Sequence, residues 1–420
     1  MKNPANTNVR PAIPALLALL LATPVLAQRI SLPLSRERLE QLAAESPNDA
    51  AAHYNLGLGW WSEKKYDEAE ASFLEATAIE PRFADPEFAL AFLPFARDDD
   101  LWDAVFDVRD RDEEQQKILE DTDRRYRRAI MLDPLVDKKI MGAVLPKKNA
   151  YLAFDEFWSG LYDDWVRGYE DFQLGRYERA YERLSTIREN TMTNRSARST
   201  AGIDTNRDLR GNRRSEDRLN EGILWFHGLA AAHVGDWEPA IEDFEILVER
   251  SLRQELVDSL VYAPLNTGDY QFILGVLHKE AGDDPKAIEY FTDALTRDLS
   301  LFMAHVHMAN IFEAQRRFDR ALEERQRAVN ANPGDGSLLM ELGLTQYRAG
   351  QRQEAARSLE QAQEVNPRDA RPLYLLGLVR VALGDGDGAY QAFEQFVERA
   401  PARLGQQIQD ARARLDAMKQ

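Results

Sequence analysis

The sequence predicts an all-α solenoid of stacked helix pairs, and three observations carry that prediction. One pattern recurs at a fixed period of 34 residues from Gly268 to Pro401. Small residues return at places 8 and 20 of each copy, with large ones at place 7 and, in three copies, at place 24. Three of the four copies close on proline at place 32, Pro333, Pro367 and Pro401. A helix pair cannot bury its apolar face alone, so a fixed period of this kind implies neighbours stacked on neighbours.

The four copies start at Gly268, Phe302, Gly336 and Ala370. Places 7 and 8 hold Leu274-Gly275, Met308-Ala309, Leu342-Gly343 and Leu376-Gly377; place 20 holds Ala287, Ala321, Ala355 and Ala389. Place 24 holds Phe291, Arg325, Leu359 and Phe393. Gly282, Gly350 and Gly384 stand at place 15, where the first helix must end and a left-handed residue costs least. Proline at place 32 stops the second helix, since it has no amide to donate. The pattern resembles the tetratricopeptide repeat (TPR) family, whose repeat reads Trp-x2-Leu-Gly-x2-Tyr, then Ala-x3-Phe, then Ala and Pro. That resemblance implies an all-α right-handed solenoid of helix-turn-helix repeats.

Ahead of the regular run, residues 1–27 read as a cleavable export signal. Lys2 and Arg10 give a positive start, Ala15 to Leu21 an apolar run, and Val25-Leu26-Ala27 a small-residue cleavage site before Gln28. The apolar run is shorter than the roughly 18–20 residues a membrane span needs. The expected location is the periplasm or the secreted medium, with no span in the mature chain. The chain has no cysteine, which removes disulfides, thiol catalysis and cysteine-ligated zinc together. Its formal charge is −18, and loss of Lys2 and Arg10 takes it to about −20, so nucleic acid and anionic surfaces should repel it.

Residues 28–49 form a leader, and residues 50–160 a first repeat followed by a degenerate helical insert. That first repeat carries Leu56-Gly57-x2-Trp60, Tyr66, Ala69-x3-Phe73, Ala76 and Pro81, with His53 in place of the first aromatic. Within the insert, Asp110, Asp112 and Glu114 have the alternate spacing of a calcium loop. Gln115 stands where that loop needs glycine and Asp121 where it needs a bidentate glutamate, so the run reads as a solvated helix face. Residues 161–267 hold two degenerate repeats. One carries Gly168, Gly175, Tyr177, Ala180 and Leu184; the other carries Trp225, Gly228, Gly235, Trp237, Ala240 and Phe244. Between them, 189–220 is rich in Arg, Asn, Ser and Thr and is expected as a long mobile loop. Its Arg195, Arg198, Arg207, Arg210, Arg213 and Arg214 read either as a dock for an acidic partner or as a solvated insertion. Residues 268–401 are the four regular repeats. After Pro401, Leu404, Ile408, Ala411, Leu415 and Met418 make one apolar stripe, so residues 402–420 are expected as a capping helix.

Chemistry is sparse. His305 and His307 stand two apart on a helix and point to different sides. His278-Lys279-Glu280 lacks the second histidine of a zinc-protease helix, and no phosphate loop, dinucleotide fingerprint or Gly-x-Ser-x-Gly occurs. The expectation is a non-enzyme with no cofactor, no metal and no catalytic residue. Surface recognition remains. The resemblance implies that the first helix of each pair lines a concave groove, with places 2, 5, 9 and 12 facing into it. Candidate partner-binding residues are Phe272, Asn310, Met340, Leu344, Tyr347, Arg371, Tyr374 and Leu378. No lysine or arginine fills place 5, so a clamp for a peptide carboxylate is not expected, and an apolar or amphipathic protein segment is the better ligand. Leu378 and Val381 also fit a second role, holding the capping helix. The reading is an adaptor or scaffold in the bacterial cell envelope, with partner unidentified. The alternatives are a regulatory subunit of an envelope enzyme, an enzyme with chemistry in the 81–160 insert, or a homo-oligomer joined through an end repeat.

Overall fold

Helices form where the repeat marks them, and they break on the residues that end a helix. The computed structural model describes residues 34–98, 101, 112–136, 162–173, 175–200, 212–255 and 265–419. The export segment 1–27 and residues 137–160 lie outside these, as do the centre of the expected loop, 201–211, and residues 256–264. In chain order the helices are α1 (Arg36–Glu45), α2 (Ala50–Ser62), α3 (Tyr66–Ile79), α4 (Ala84–Arg97) and α5 (Glu113–Leu132). Next come α6 (Tyr162–Gln173), α7 (Tyr177–Thr200), α8 (Asn212–Val234) and α9 (Trp237–Glu255). The regular run gives α10 (Thr267–Glu280), α11 (Asp284–Arg297), α12 (Phe302–Ala314), α13 (Phe318–Ala331), α14 (Gly336–Arg348), α15 (Arg352–Val365), α16 (Arg371–Leu383) and α17 (Gly386–Arg399). A 3₁₀ turn at Ala402–Leu404 leads into α18 (Gly405–Met418). No strand occurs among the described residues.

Helices pack as α2/α3, α4/α5, α6/α7, α8/α9, α10/α11, α12/α13, α14/α15 and α16/α17, and α18 closes the stack on α17. The starts are capped by side chains: Asp49, Asp112, Asn266, Asp283, Asp335 and Asp385 each accept an amide of the first turn. The turn inside three of the regular pairs uses a left-handed glycine, Gly282 at φ 82°, Gly350 at 86° and Gly384 at 80°. Lys64 and Arg316 hold the same place in their repeats at φ 60° and 58°, where a side chain makes that conformation costlier.

Close approach of the paired helices rests on one recurrent contact. A Cβ added at Gly57 would lie 2.4 Å from Phe73, at Gly275 2.5 Å from Phe291, and at Gly377 2.6 Å from Phe393. The ring sits where a side chain at place 8 would stand, and each of the three rings is fully buried. Burial of one such ring contributes on the order of 1.5–3 kcal/mol. The degenerate repeats keep the arrangement, with Gly168 over Leu184 and Gly228 over Phe244.

Three expectations change in detail. The segment 189–220, expected as a loop, is helical over its described residues: α7 continues to Thr200 and α8 begins at Asn212. The paired helices outlast the repeat period there, so polar composition alone misreads an extended helix as a loop. Within the expected degenerate insert, α4 and α5 form a further helix pair, and α5 lies against α10. Asp112, from the calcium-like run, caps α5 in a capping box with Gln115, and Asp121 pairs with Arg124 and Arg125. Of the C-terminal stripe, Leu404 in the 3₁₀ turn and Ala411 and Leu415 in α18 are buried, Ile408 packs beside them, and Met418 is exposed.

Candidate partner-binding surface

The first helices of the regular repeats contain every predicted groove residue, but most of those side chains are spent on packing. Phe272, Met340, Leu344, Tyr374 and Leu378 are buried. Phe272 sits 5.8 Å from the Phe291 ring of its own repeat and 5.8 Å from His307 of the next. Tyr374 packs on Phe393 and Phe396 and donates to Asp410 of α18 at 2.9 Å. Burial raises the Tyr374 hydroxyl above its ordinary value, and the Asp410 carboxylate adds to that. Place 5 therefore faces the neighbouring helices, because first helices stack closely enough to cover it. Leu378 joins the core under α18, in keeping with its second role as a support for the capping helix.

Of the eight candidates, Asn310 is exposed and Tyr347 and Arg371 are half-buried. Asn310 and Tyr347, with Lys279 and Val381, mark what stays open: a stripe at the C-terminal ends of the first helices, mixed rather than apolar, whereas Arg371 stands at the start of its helix. Val381 is 42 % exposed.

Arg371 is engaged across the molecule. It donates to Glu80 at 3.2 Å and to Asp369 at 2.8 Å. Burial alone would lower its basicity, but Asp369 and Glu80 outweigh that and raise it. Glu80 belongs to the turn that ends the first repeat, and this turn meets the C-terminal repeats at several points. Asn366 Nδ2 donates to the Ile79 carbonyl at 3.0 Å, Arg403 pairs with Glu80 at 3.3 Å and with Asp49 at 3.2 Å, and Arg82 pairs with Glu341. Arg368 reaches Glu75 at 2.7 Å and the Pro47 carbonyl at 2.8 Å. Beside this seam, Arg127 of α5 pairs with Asp269 at 3.0 Å and with Asp298 at 3.3 Å. None of these pairings was foreseen. The one signal in the sequence was a Pro-Arg step after place 31 in two copies, Pro81-Arg82 and Pro367-Arg368. It marks charged turns but not what they meet.

Arg325 is the outlier at place 24. It fills the position of Phe291 and Phe393, is 1 % exposed, and donates to Glu341 at 2.6 Å and to Asn310. Thr345 and Arg348 complete the group around Glu313. Burial pushes the Glu341 carboxyl up, but Arg82 and Arg325 outweigh it and hold it below the ordinary value.

One further cluster has the look of catalytic chemistry. His227 Nε2 lies 3.0 Å from Ser185 Oγ, and its Nδ1 meets Asp243. This is the connectivity of a nucleophile, base and orienting carboxylate. Here Asp243 is fully buried and also accepts from Arg188 at 2.5 Å, and Ser185 Oγ lies 2.7 Å from the Tyr181 carbonyl one turn back. Ser185 sits mid-helix, where backbone amides are already bonded to the preceding turn and none is free to hold an oxyanion. The cluster links α7, α8 and α9 as a buried polar tie. A cleft of about 550 Å³ lies between α5 and the turn at 298–302; its Arg124, Arg125, Arg127 and Arg128 face Glu87, Glu120, Asp123, Asp269 and Asp298. Opposite charges nearly balance there. No group of His, Asp and Glu able to hold a metal ion occurs among the described residues. No described helix is long and apolar enough to cross a membrane.

A tetratricopeptide repeat family model matches residues 31–82 and 340–403. No curated protein matches the chain. Among solved structures, MamA from Desulfovibrio magneticus RS-1 is 19 % identical over 43 % of this chain and 94 % of its own, with a TM-score of 0.35. YrrB, described as a TPR protein with an unusual peptide-binding site, is 19 % identical over 41 % of this chain and 81 % of its own, with a TM-score of 0.32. The C-terminal part of a TPR repeat-containing protein from Cytophaga hutchinsonii is 14 % identical over 57 % of this chain and 92 % of its own, with a TM-score of 0.40.

Proposed function

This chain is a tetratricopeptide repeat protein, and from that premise we propose a non-enzymatic scaffold of the bacterial cell envelope that binds an amphipathic segment of a protein partner. The observation that carries the reading is the open stripe at the ends of the first helices, Lys279, Asn310, Tyr347 and Val381. It alternates charged, amide, aromatic and aliphatic groups along successive repeats. A helical ligand with one apolar edge and polar flanks complements such a row. The buried Phe272, Met340, Leu344, Tyr374 and Leu378 give the stripe a rigid backing and offer little surface of their own. The envelope part of the reading rests on the Lys2, Arg10 and Val25-Leu26-Ala27 pattern of the leader.

The test is photo-crosslinking in cells with the full chain, the reactive group placed at Tyr347 or Val381. One protein captured at both positions, and lost when Asn310→Ala and Lys279→Ala are added, supports the stripe. Adducts no stronger than those from a group at exposed Gln395 on α17 would remove it, and adducts only with a second copy would make the face a homo-oligomer contact. The leader is tested separately: an exported protein starting near Gln28 supports the signal, and one starting at Met1 overturns it.

A further inference from the structure

The buried apolar side chains among the described residues fall into two clusters, and the division lies beside a buried polar network. One core runs from Ala50 through Leu338; the other begins at Leu339 and ends at Leu415. At the division sits the buried Arg325, with Glu313 on the preceding helix α12 and Glu341 on the following helix α14. Helices α14–α18 therefore join the rest of the stack at a junction that contains this polar layer, bridged by Leu338 of α14 and Val329 of α13. They are also tied to the first repeat by the seam at Glu80 and Arg82. The contacts described across that seam are ion pairs and hydrogen bonds, and no helix of residues 36–97 packs alongside a helix of residues 336–418.

We propose that α14–α18 carry a docking surface for a charged turn, occupied here by the chain's own residues Ile79–Arg82, and that release of this turn lets α14–α18 swing as a body about the Arg325 layer. The surface consists of Arg371 and Arg403 around one carboxylate, Glu341 against one guanidinium, and Asn366 against one carbonyl. Its fit is incomplete. Arg82 Nη1, Asp335 Oδ2 and Ser337 Oγ are buried without a hydrogen-bond partner, and a gap of about 10 Å³, the size of one water, lies between Ile79 and Leu404. Burying charges costs nearly what their pairing returns, so a seam built only of such pairs is poised near balance, whereas an apolar seam would not be. Opening rehydrates every one of these groups, so most of what is lost at the seam is returned by water. The polar layer at Arg325 supplies the second requirement, a place where two packed bodies can shift. This inference concerns access to the inner face and does not depend on which partner binds the open stripe.

The chain has no cysteine, so Ala71→Cys on α3 and Gln395→Cys on α17, both exposed, allow spin labels on either side of the seam. Pulsed electron resonance then reads their separation in the full chain. The expected result is one short distance, and, in Arg371→Gln/Arg403→Gln, about a tenfold or greater rise in a longer, broader population with helix content unchanged. Arg357→Gln, which loses only a pair within α15, leaves the distance as it was. If the double variant does not fold, Arg368→Gln reads the same property: it removes the exposed Glu75 pair, and its long-distance fraction should rise with ionic strength. A distance that stays short and narrow in whichever of these variants folds, at every ionic strength, overturns the proposal.

Discussion

Arg325 Nη1 donates to Glu341 Oε2 at 2.6 Å, joining the second helix of one repeat to the first helix of the next where other repeats use an aromatic ring. Glu341 turns its other oxygen to Arg82 of the first repeat. One buried carboxylate thus connects a departure from the repeat pattern to the seam that holds the two ends together. The departure also explains Ala309: with no ring at place 24 of that repeat, place 8 has room for a methyl group.

Arg325→Leu should be expensive although Leu359 fills the same place without penalty. The substitution leaves Glu341 and Glu313 buried with part of their compensation gone. A loss of about 3–5 kcal/mol is expected, read as a lower urea midpoint by circular dichroism. A loss below about 1 kcal/mol would show that water or Arg82 and Arg348 neutralise the carboxylates unaided.

Gly377→Ala puts a methyl group 2.6 Å from Phe393 Cε1. That ring is fully buried and has no empty space to move into. The expected destabilisation is about 1–3 kcal/mol, despite the better helix propensity of alanine. Ala309→Gly, made in the repeat with Arg325 instead of a ring, should cost about 1 kcal/mol, from propensity alone. Equal effects of the two changes in thermal unfolding would refute the ring contact as the reason for glycine.

His307 makes the fold sensitive to acid. Its ring stacks on Phe291 at 5.3 Å, and neither ring nitrogen has a hydrogen-bond partner. Burial pushes its pKa down to about 3; Lys279, Arg82 and Arg325 act in the same direction, and Glu341 opposes them. The unfolded chain binds a proton below about pH 6.5 while the folded chain does not. Stability should therefore fall as pH drops from about 6.5 toward 3, by up to about 1.4 kcal/mol per pH unit from this group. His307→Phe should flatten that dependence in urea titrations at several pH values; an unchanged slope would assign the acid sensitivity elsewhere.

Tyr374→Phe keeps the ring against Phe393 and Phe396 and removes the bond to Asp410. About 1 kcal/mol of support for α18 is lost, and amides of residues 405–418 should exchange faster while those of α14 do not. Partner capture at Tyr347 should be unaffected, because Tyr374 is covered by α18. A loss of capture in this variant would return Tyr374 to the binding face.

The spacing of 34 residues, the Gly–Phe pairs sixteen apart and the turn glycines were enough to read the helix pairs and the capping helix, because each depends on residues close in sequence or one repeat away. Within the polar 189–220 segment the described residues, up to Thr200 and from Asn212, are helical, which polar composition alone does not distinguish from a loop. The open stripe was half legible. Register places Asn310 and Tyr347 on the first helices, but it is silent on how tightly those helices stack, and that decided the burial of Phe272, Met340 and Tyr374.

What the sequence determined by itself is the repeating unit, since helix pairing is a local and periodic property. What only the tertiary structure decided is where the charged turns meet. Glu80 and Arg371 stand 291 residues apart, and their pairing follows from the summed small rotations of every repeat between them. No local pattern encodes that sum, so the seam, and the division of the buried clusters beside Arg325, appear only once the whole stack is built.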